Sequence, residues 1–195
     1  MVMTADKKCV NCAIVGDGMV GKTCLALGFT TQSFPESYIA TVFENYAGRV
    51  SAAGEQYTVS MFDSAGQHDY EGLRAFTYKD SEVLVVCYSV VDRESFDSIK
   101  SFWMPEIKNY MRRRKPVILV ATQKDLRNFA PDNTEEIPIT REEGEALSKD
   151  IGADHFVECS AVTQDGVKNV FEDVVLSALK YRKKKSKIFQ KIFAR

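Results

Sequence analysis

The stretch Gly16-Asp17-Gly18-Met19-Val20-Gly21-Lys22-Thr23 decides how this chain folds. It fits the phosphate-loop pattern G-x-x-x-x-G-K-[ST], in which a Gly-rich turn joins a buried strand to a helix. The apolar run Cys12-Ala13-Ile14-Val15 precedes it, and a helix is predicted over 22–31. Glycines at 16, 18 and 21 let the backbone wrap phosphates closely with its amides pointing inward. Lys22 is placed to reach the outer phosphates and the Thr23 hydroxyl to ligate Mg²⁺. The positive end of the helix, in the turn that carries Cys24, faces the same anion. The pattern serves ATP and GTP proteins alike, so the rest of the chain must supply the base and the chemistry.

Outward from this loop, strand-like and helix-like stretches alternate. Strands are predicted over 10–15, 46–52, 56–62, 83–89, 117–122 and 155–159, with a hairpin turn at Ala53-Gly54. The unbroken apolar runs at 83–89 and 117–122 suit parallel strands buried on both faces. Helices are predicted over 94–111, where Pro105 bends or interrupts the helix, and over 140–151, opened by the capping box Thr140-x-x-Glu143. A last helix carries Val167, Val170, Phe171, Val174, Val175, Ala178 and Leu179 on one face. A polar surface loop is expected over 128–138. The alternation predicts a three-layer α/β domain with a six-stranded, mostly parallel sheet, its ligand at the carboxyl ends of the strands.

Three further motifs sit at strand ends. Asp63-Ser64-Ala65-Gly66-Gln67 offers a carboxylate for Mg²⁺, a backbone amide at Gly66 that can approach a γ-phosphate, and a Gln67 amide able to orient water. In Thr122-Gln123-Lys124-Asp125, the Asp125 carboxylate can accept from guanine N1–H and the exocyclic amine. Adenine would present a lone pair there, so Asp125 discriminates guanine. Backbone amides of Cys159-Ser160-Ala161 could meet the guanine O6.

The 195 residues are 45% apolar and 27% charged, an ordinary globular balance for one domain. The net charge of −1 conceals an asymmetry: eight basic and no acidic residues lie from Lys180 onward, leaving 18 basic against 27 acidic residues in the body. A basic tail on an acidic body suggests an anionic partner, a membrane surface or nucleic acid. Cys9, Cys12, Cys24, Cys87 and Cys159 read as reduced thiols of an intracellular protein, and Cys9-x-x-Cys12 lacks the second pair that a zinc site needs. No secretory or membrane-spanning run is expected, and Val2 removes the glycine that myristoylation requires.

In order and spacing these motifs resemble a Ras-superfamily small GTPase. The segments Tyr38-Ile39-Ala40-Thr41-Val42-Phe43-Glu44-Asn45-Tyr46, Trp103-Met104-Pro105-Glu106 and Thr122-Gln123-Lys124-Asp125-Leu126-Arg127 are similar to the Rho family. Phe62 and Gln123 lean toward its Cdc-type branch beside Rac. The similarity covers a GTPase domain over 8–179, followed by a tail over 180–195. It implies GTP and GDP as substrate and product, with Mg²⁺ held by Thr23, Thr41 and Asp63. It assigns nucleotide contacts to Gly16, Asp17, Gly18, Met19, Val20, Gly21, Lys22, Thr23, Cys24, Phe34, Tyr38, Thr41, Gly66, Thr122, Gln123, Asp125, Ser160 and Ala161. Gln67, Lys22 and Thr41 are its catalytic set, and Tyr38 through Tyr46 its effector-binding segment. The resemblance also implies a monomer working with effectors, GTPase-activating proteins and exchange factors in cytoskeletal or trafficking control. Nucleic acid is not an expected partner.

Several positions depart from that family. Ala40 replaces a usual Pro, Ser64 a Thr, His68 a Glu, and Gly72 and Ala75 an Arg and a Pro. These substitutions motivate an alternative, a fast-exchanging, mostly GTP-loaded module that seldom cycles. Only about a dozen residues fill the place of the family's helical insert between Arg127 and Thr140. No cysteine follows Cys159, so prenylation is not expected. Instead, Arg182, Lys183, Lys184, Lys185, Lys187 and Lys191 surround Ile188, Phe189, Ile192 and Phe193. Such a basic, amphipathic segment can lie on an anionic membrane. A cytoplasmic protein with peripheral membrane association is expected.

Overall fold

The computed structural model describes residues 8–32, 41–66, 71–111, 113–129 and 137–193. Its strands are β1 (Cys9–Val15), β2 (Phe43–Ala52), β3 (Glu55–Ser64), β4 (Val83–Ser89), β5 (Val117–Thr122) and β6 (His155–Glu158). They form one sheet in the order β2-β3-β1-β4-β5-β6, parallel except for the β2–β3 pair. β4 and β5 are buried along their whole length because helices cover both faces. On one side, α1 (Lys22–Thr31) and α6 (Val167–Phe193) pack over Cys12 and Ile14. On the other, Ala13 and Val15 meet residues of α2 (Glu71–Asp80), α4 (Met104–Tyr110) and α5 (Arg141–Ile151). Cys9 and Cys12 are an odd number of strand positions apart and so point to opposite faces. Cys12 lies in the core, where burial pushes its thiol far up, and all five cysteines are free.

The hairpin is longer than predicted, pairing from Phe43↔Ser64 to Ala52↔Glu55. Its two-residue turn places Ala53 at φ 51° and Gly54 at φ 80°, the left-handed pair that matches the twist of the strands. The helix expected over 94–111 is three pieces: α3 (Arg93–Ser98), a wide π-turn (Ile99–Trp103) and α4. Pro105 has no amide to donate, and its ring would clash with the carbonyl one turn back in an uninterrupted α-helix. The wider turn, closed by the Met104 amide on the Ile99 carbonyl, takes the proline into the first turn of α4. α5 opens on the expected capping box, with Glu143 accepting from the Thr140 amide at 2.8 Å and Thr140 Oγ1 from the Glu143 amide at 3.2 Å.

α6 runs without a break past Leu179 for 27 residues in all. Arg182 pairs with Glu82 at 2.6 Å and donates to the Cys9 carbonyl, so the helix is attached to the body at the start of β1. Lys183, Lys184, Lys185 and Lys187 beyond it are exposed. Among the described residues, no helix is long and apolar enough to cross a membrane. A 3-10 helix (Lys124–Phe129) follows β5, and 130–136, within the surface loop expected over 128–138, lie outside the described residues.

Ala53 carries a Cβ in a left-handed conformation that costs an L-residue about 1–2 kcal/mol and asparagine less. Ala53→Asn is therefore expected to raise stability by roughly 0.5–1 kcal/mol, read as a higher denaturant midpoint with an unchanged slope.

Candidate nucleotide site

The loops that follow β1, β3, β5 and β6 open on one edge of the sheet, where a parallel α/β domain presents its ligand crevice. The loop after β1 sits hard against the strand beside it. A Cβ on Gly16 would lie 2.2 Å from the Cys87 carbonyl oxygen of β4. Gly21 caps α1 without any side-chain hydrogen bond, so no side chain competes for the amides of that first turn. Val20 is core, whereas Met19 is 75% exposed. Lys22 is only 7% exposed, and its Nζ donates to the Asp17 carbonyl at 2.6 Å. Burial holds this ammonium below the ordinary lysine range, against the opposing pull of Asp63.

Three oxygens converge beside it. Thr23 Oγ1 lies 2.6 Å from Asp63 Oδ2 and 2.9 Å from Thr41 Oγ1, linking α1, β3 and the residue two before β2. Asp63 is fully buried, and its second oxygen, Oδ1, has no hydrogen-bond partner. Burial raises its carboxyl above the ordinary range, while the Thr23 hydroxyl and the Lys22 charge pull it back. Two hydroxyls and a carboxylate with one oxygen still unpartnered are hard donors of the kind that suit Mg²⁺. Among the described residues no cluster of three His, Cys, Asp or Glu offers a competing metal site.

A cavity of about 150 Å³ lies next to the loop, walled by Gly21, Cys24, Leu25, Gln123, Asp125 and Ala161, among others. Its walls are tied to the phosphate loop. Thr122 Oγ1 donates to the Val20 carbonyl at 2.5 Å and to the Tyr88 carbonyl at 2.8 Å. Gln123, at φ 57°, donates to the Met19 carbonyl and accepts from Ser89 Oγ. The Lys124 amide donates to the Cys159 carbonyl, and Lys124 Nζ pairs with Asp165 at 2.6 Å. The Ser160 amide is engaged by the Asp165 carbonyl, which leaves Ala161 as the member of that pair facing the cavity. Phosphate loop, oxygen cluster and a base-sized slot with a carboxylate in its wall thus form one continuous site.

A sequence model of the Ras family matches residues 11–180. This chain belongs to the Ras family. It is a GTP-binding, switch-type GTPase domain, and members of the family bind GTP, GDP and Mg²⁺ and work through effectors, activating proteins and exchange factors. Gly66 lies directly on the phosphate loop: a Cβ there would sit 2.4 Å from the Gly18 nitrogen and the Asp17 carbonyl carbon. Thr41 and the exposed Val42 lead into β2, an edge strand on which Phe43, Glu44 and Asn45 are exposed, Phe43 stacking on Phe62. Phe34, Tyr38, Ile39, Ala40, Gln67 and His68 lie outside the described residues.

One cluster at this site was not anticipated from the sequence. Arg74 of α2 is fully buried and grips Glu106 of α4 with two hydrogen bonds of 2.9 and 2.7 Å. It also donates to the Ala65 carbonyl at 3.1 Å, beside Gly66, and Tyr78 donates to Glu106 at 2.5 Å. A lone arginine in an amphipathic helix gives no sequence signal of burial; only the packing of α2 against α4 creates it. Arg74→Ala would leave Glu106 charged and unpaired in the core. We expect a loss of about 3–5 kcal/mol in urea unfolding, whereas a surface ion pair such as Lys100–Asp150 should change stability by ~1 kcal/mol or less when broken.

Proposed function

We propose that this chain is a Rho-type member of the Ras family, of the Cdc-type branch, acting as a timed guanine-nucleotide switch. The observation that carries the reading is the convergence of Thr23, Thr41 and Asp63 beside buried Lys22. Thr41 stands two residues before the exposed edge strand, so a nucleotide-dependent contact at its hydroxyl would be felt directly by the surface that partners read. Val42 to Tyr46, with Tyr38 to Thr41 before them, form the proposed effector segment.

In this reading Thr23, Thr41 and Asp63 would hold Mg²⁺, which supplies charge neutralisation at the β- and γ-phosphates. Lys22 neutralises the same phosphates, and the amides of Gly18 through Cys24 bind their oxygens. Asp125 accepts from the guanine edge, with Gln123 across the base and Ala161 at its far side. Gln67 orients water for in-line attack at the γ-phosphorus; the bond to the β–γ bridging oxygen breaks, giving GDP and phosphate. Arg74 is committed to Glu106 and Ala65, so the arginine that accelerates this chemistry by ~10³–10⁵ would come from an activating partner. Intrinsic hydrolysis is therefore slow, and loss of the γ-phosphate releases the segments at Thr41 and Gly66.

Purified protein should bind GTP and GDP in preference to ATP by at least 100-fold, on the order expected when a buried carboxylate meets the wrong base edge. Gln67→Leu should abolish hydrolysis while leaving binding intact. Equal affinity for ATP, or unchanged hydrolysis in the variant, would overturn the reading. Nucleotide release measured without any partner protein separates the timed switch, which releases slowly, from the fast-exchanging alternative.

The exposed lysines beyond Arg182 support a peripheral association with an anionic membrane in an otherwise cytoplasmic protein. The full chain should bind phosphatidylserine vesicles in a salt-sensitive way. A chain ending at Arg182, which keeps the contacts to Glu82 and Cys9, should not; equal binding by both would remove the tail from the function.

A further inference from the structure

Trp103, the one tryptophan of the chain, is fully buried at the end of the π-turn, yet its indole reaches the phosphate loop. Its Nε1–H donates to Asp17 Oδ1 at 2.8 Å, across 86 residues of sequence. Asp17 is thus held at two points. Its carboxylate is fixed by the indole, and its own carbonyl receives Lys22 Nζ at 2.6 Å. The other side of the same ring faces Arg74, whose guanidinium carbon lies 5.0 Å from the ring centroid and which holds the Ala65 carbonyl. Phe102 packs edge-on at 5.1 Å and fixes the ring further.

We propose that Trp103 is a positioning residue for the phosphate site: it sets Asp17, and through the Asp17 carbonyl the rest position of Lys22, and it joins that loop to the Gly66 segment through Arg74. The sequence feature that delivers it is Pro105. The proline breaks the regular helix, and the wide turn that accommodates it ends on the buried Trp103. An indole N–H donating to a carboxylate is a charge-assisted bond, strong enough to hold a loop whose glycines impose little order of their own. Lys22 is not a free cation awaiting phosphate; it is stored on a carbonyl whose position Trp103 defines.

The test is a double-mutant cycle on the full chain, read as the release rate of a fluorescent GDP analogue. Trp103→Phe keeps an aromatic face for Arg74 and Phe102 but removes the donor; Asp17→Ala removes the acceptor without touching the core. Each should speed release by ~10-fold, the worth of one charge-assisted bond, and the double variant should release no faster than the faster single. Release from Trp103→Phe at the wild-type rate, or effects that multiply in the double variant, would overturn the proposal. A second reading does not depend on nucleotide kinetics. With Trp103 as the only tryptophan, Asp17→Ala should shift the indole emission to shorter wavelength as the ring loses its acceptor. An unchanged spectrum would show that the bond is not made in solution.

Discussion

Lys22 and Asp63 are opposite charges buried at the edge of an apolar sheet, and each is held by neutral partners instead of by the other. Lys22 rests on a carbonyl; Asp63 takes a hydroxyl on one oxygen and nothing on the second. Burial disfavours the charged form of both, which is why the ammonium is pushed down and the carboxyl up. Such an arrangement is unfavourable in isolation and becomes favourable when a phosphate meets the lysine and a dication meets the carboxylate. The fold around the site can be understood as what keeps these two charges apart, dry and oriented.

The parallel sheet does most of that. β1 sits between β3 and β4, so the loop after β1 is flanked on one side by Asp63 and on the other by the carbonyl of Cys87. Backbone packs on backbone at Gly16 and Gly66, leaving no room for even a methyl group. A contact of that kind cannot deform gradually. Close backbone packing of this kind favours discrete arrangements over a continuum, which is what a switch requires.

Much of this was legible in the sequence because it is local. The Gly-rich turn, the continuous apolar runs of β4 and β5, and the Thr140–Glu143 capping box each carry their own physical reason within a few residues, and each stands where it was predicted. The hairpin extended further than its apolar alternation because Phe43, Glu44 and Asn45 are an exposed edge whose partner, not its own pattern, makes it a strand. The break in the helix at Pro105 was foreseeable, but the form it takes, a wide turn, depends on what Ile99 and Trp103 pack against. Arg74, Glu106 and Trp103 were invisible as site components for the same reason: burial of a charge and a 2.8 Å bond to Asp17 are tertiary facts. The continuation of α6 past the apolar stripe was also hidden, since Arg182 finds its partners at Glu82 and Cys9.

That last attachment fixes a direction. Arg182 is bonded to the carbonyl that begins β1, whereas the phosphate loop begins where β1 ends, and seven strand residues separate the two by roughly 20 Å. The exposed lysines therefore leave the domain from the pole opposite the phosphate loop, on an unbroken helix. Anything that captures that end sets which way the domain faces. The nucleotide, Thr41 and the exposed edge of β2 would then be held outward, away from the captured pole and toward the open solution.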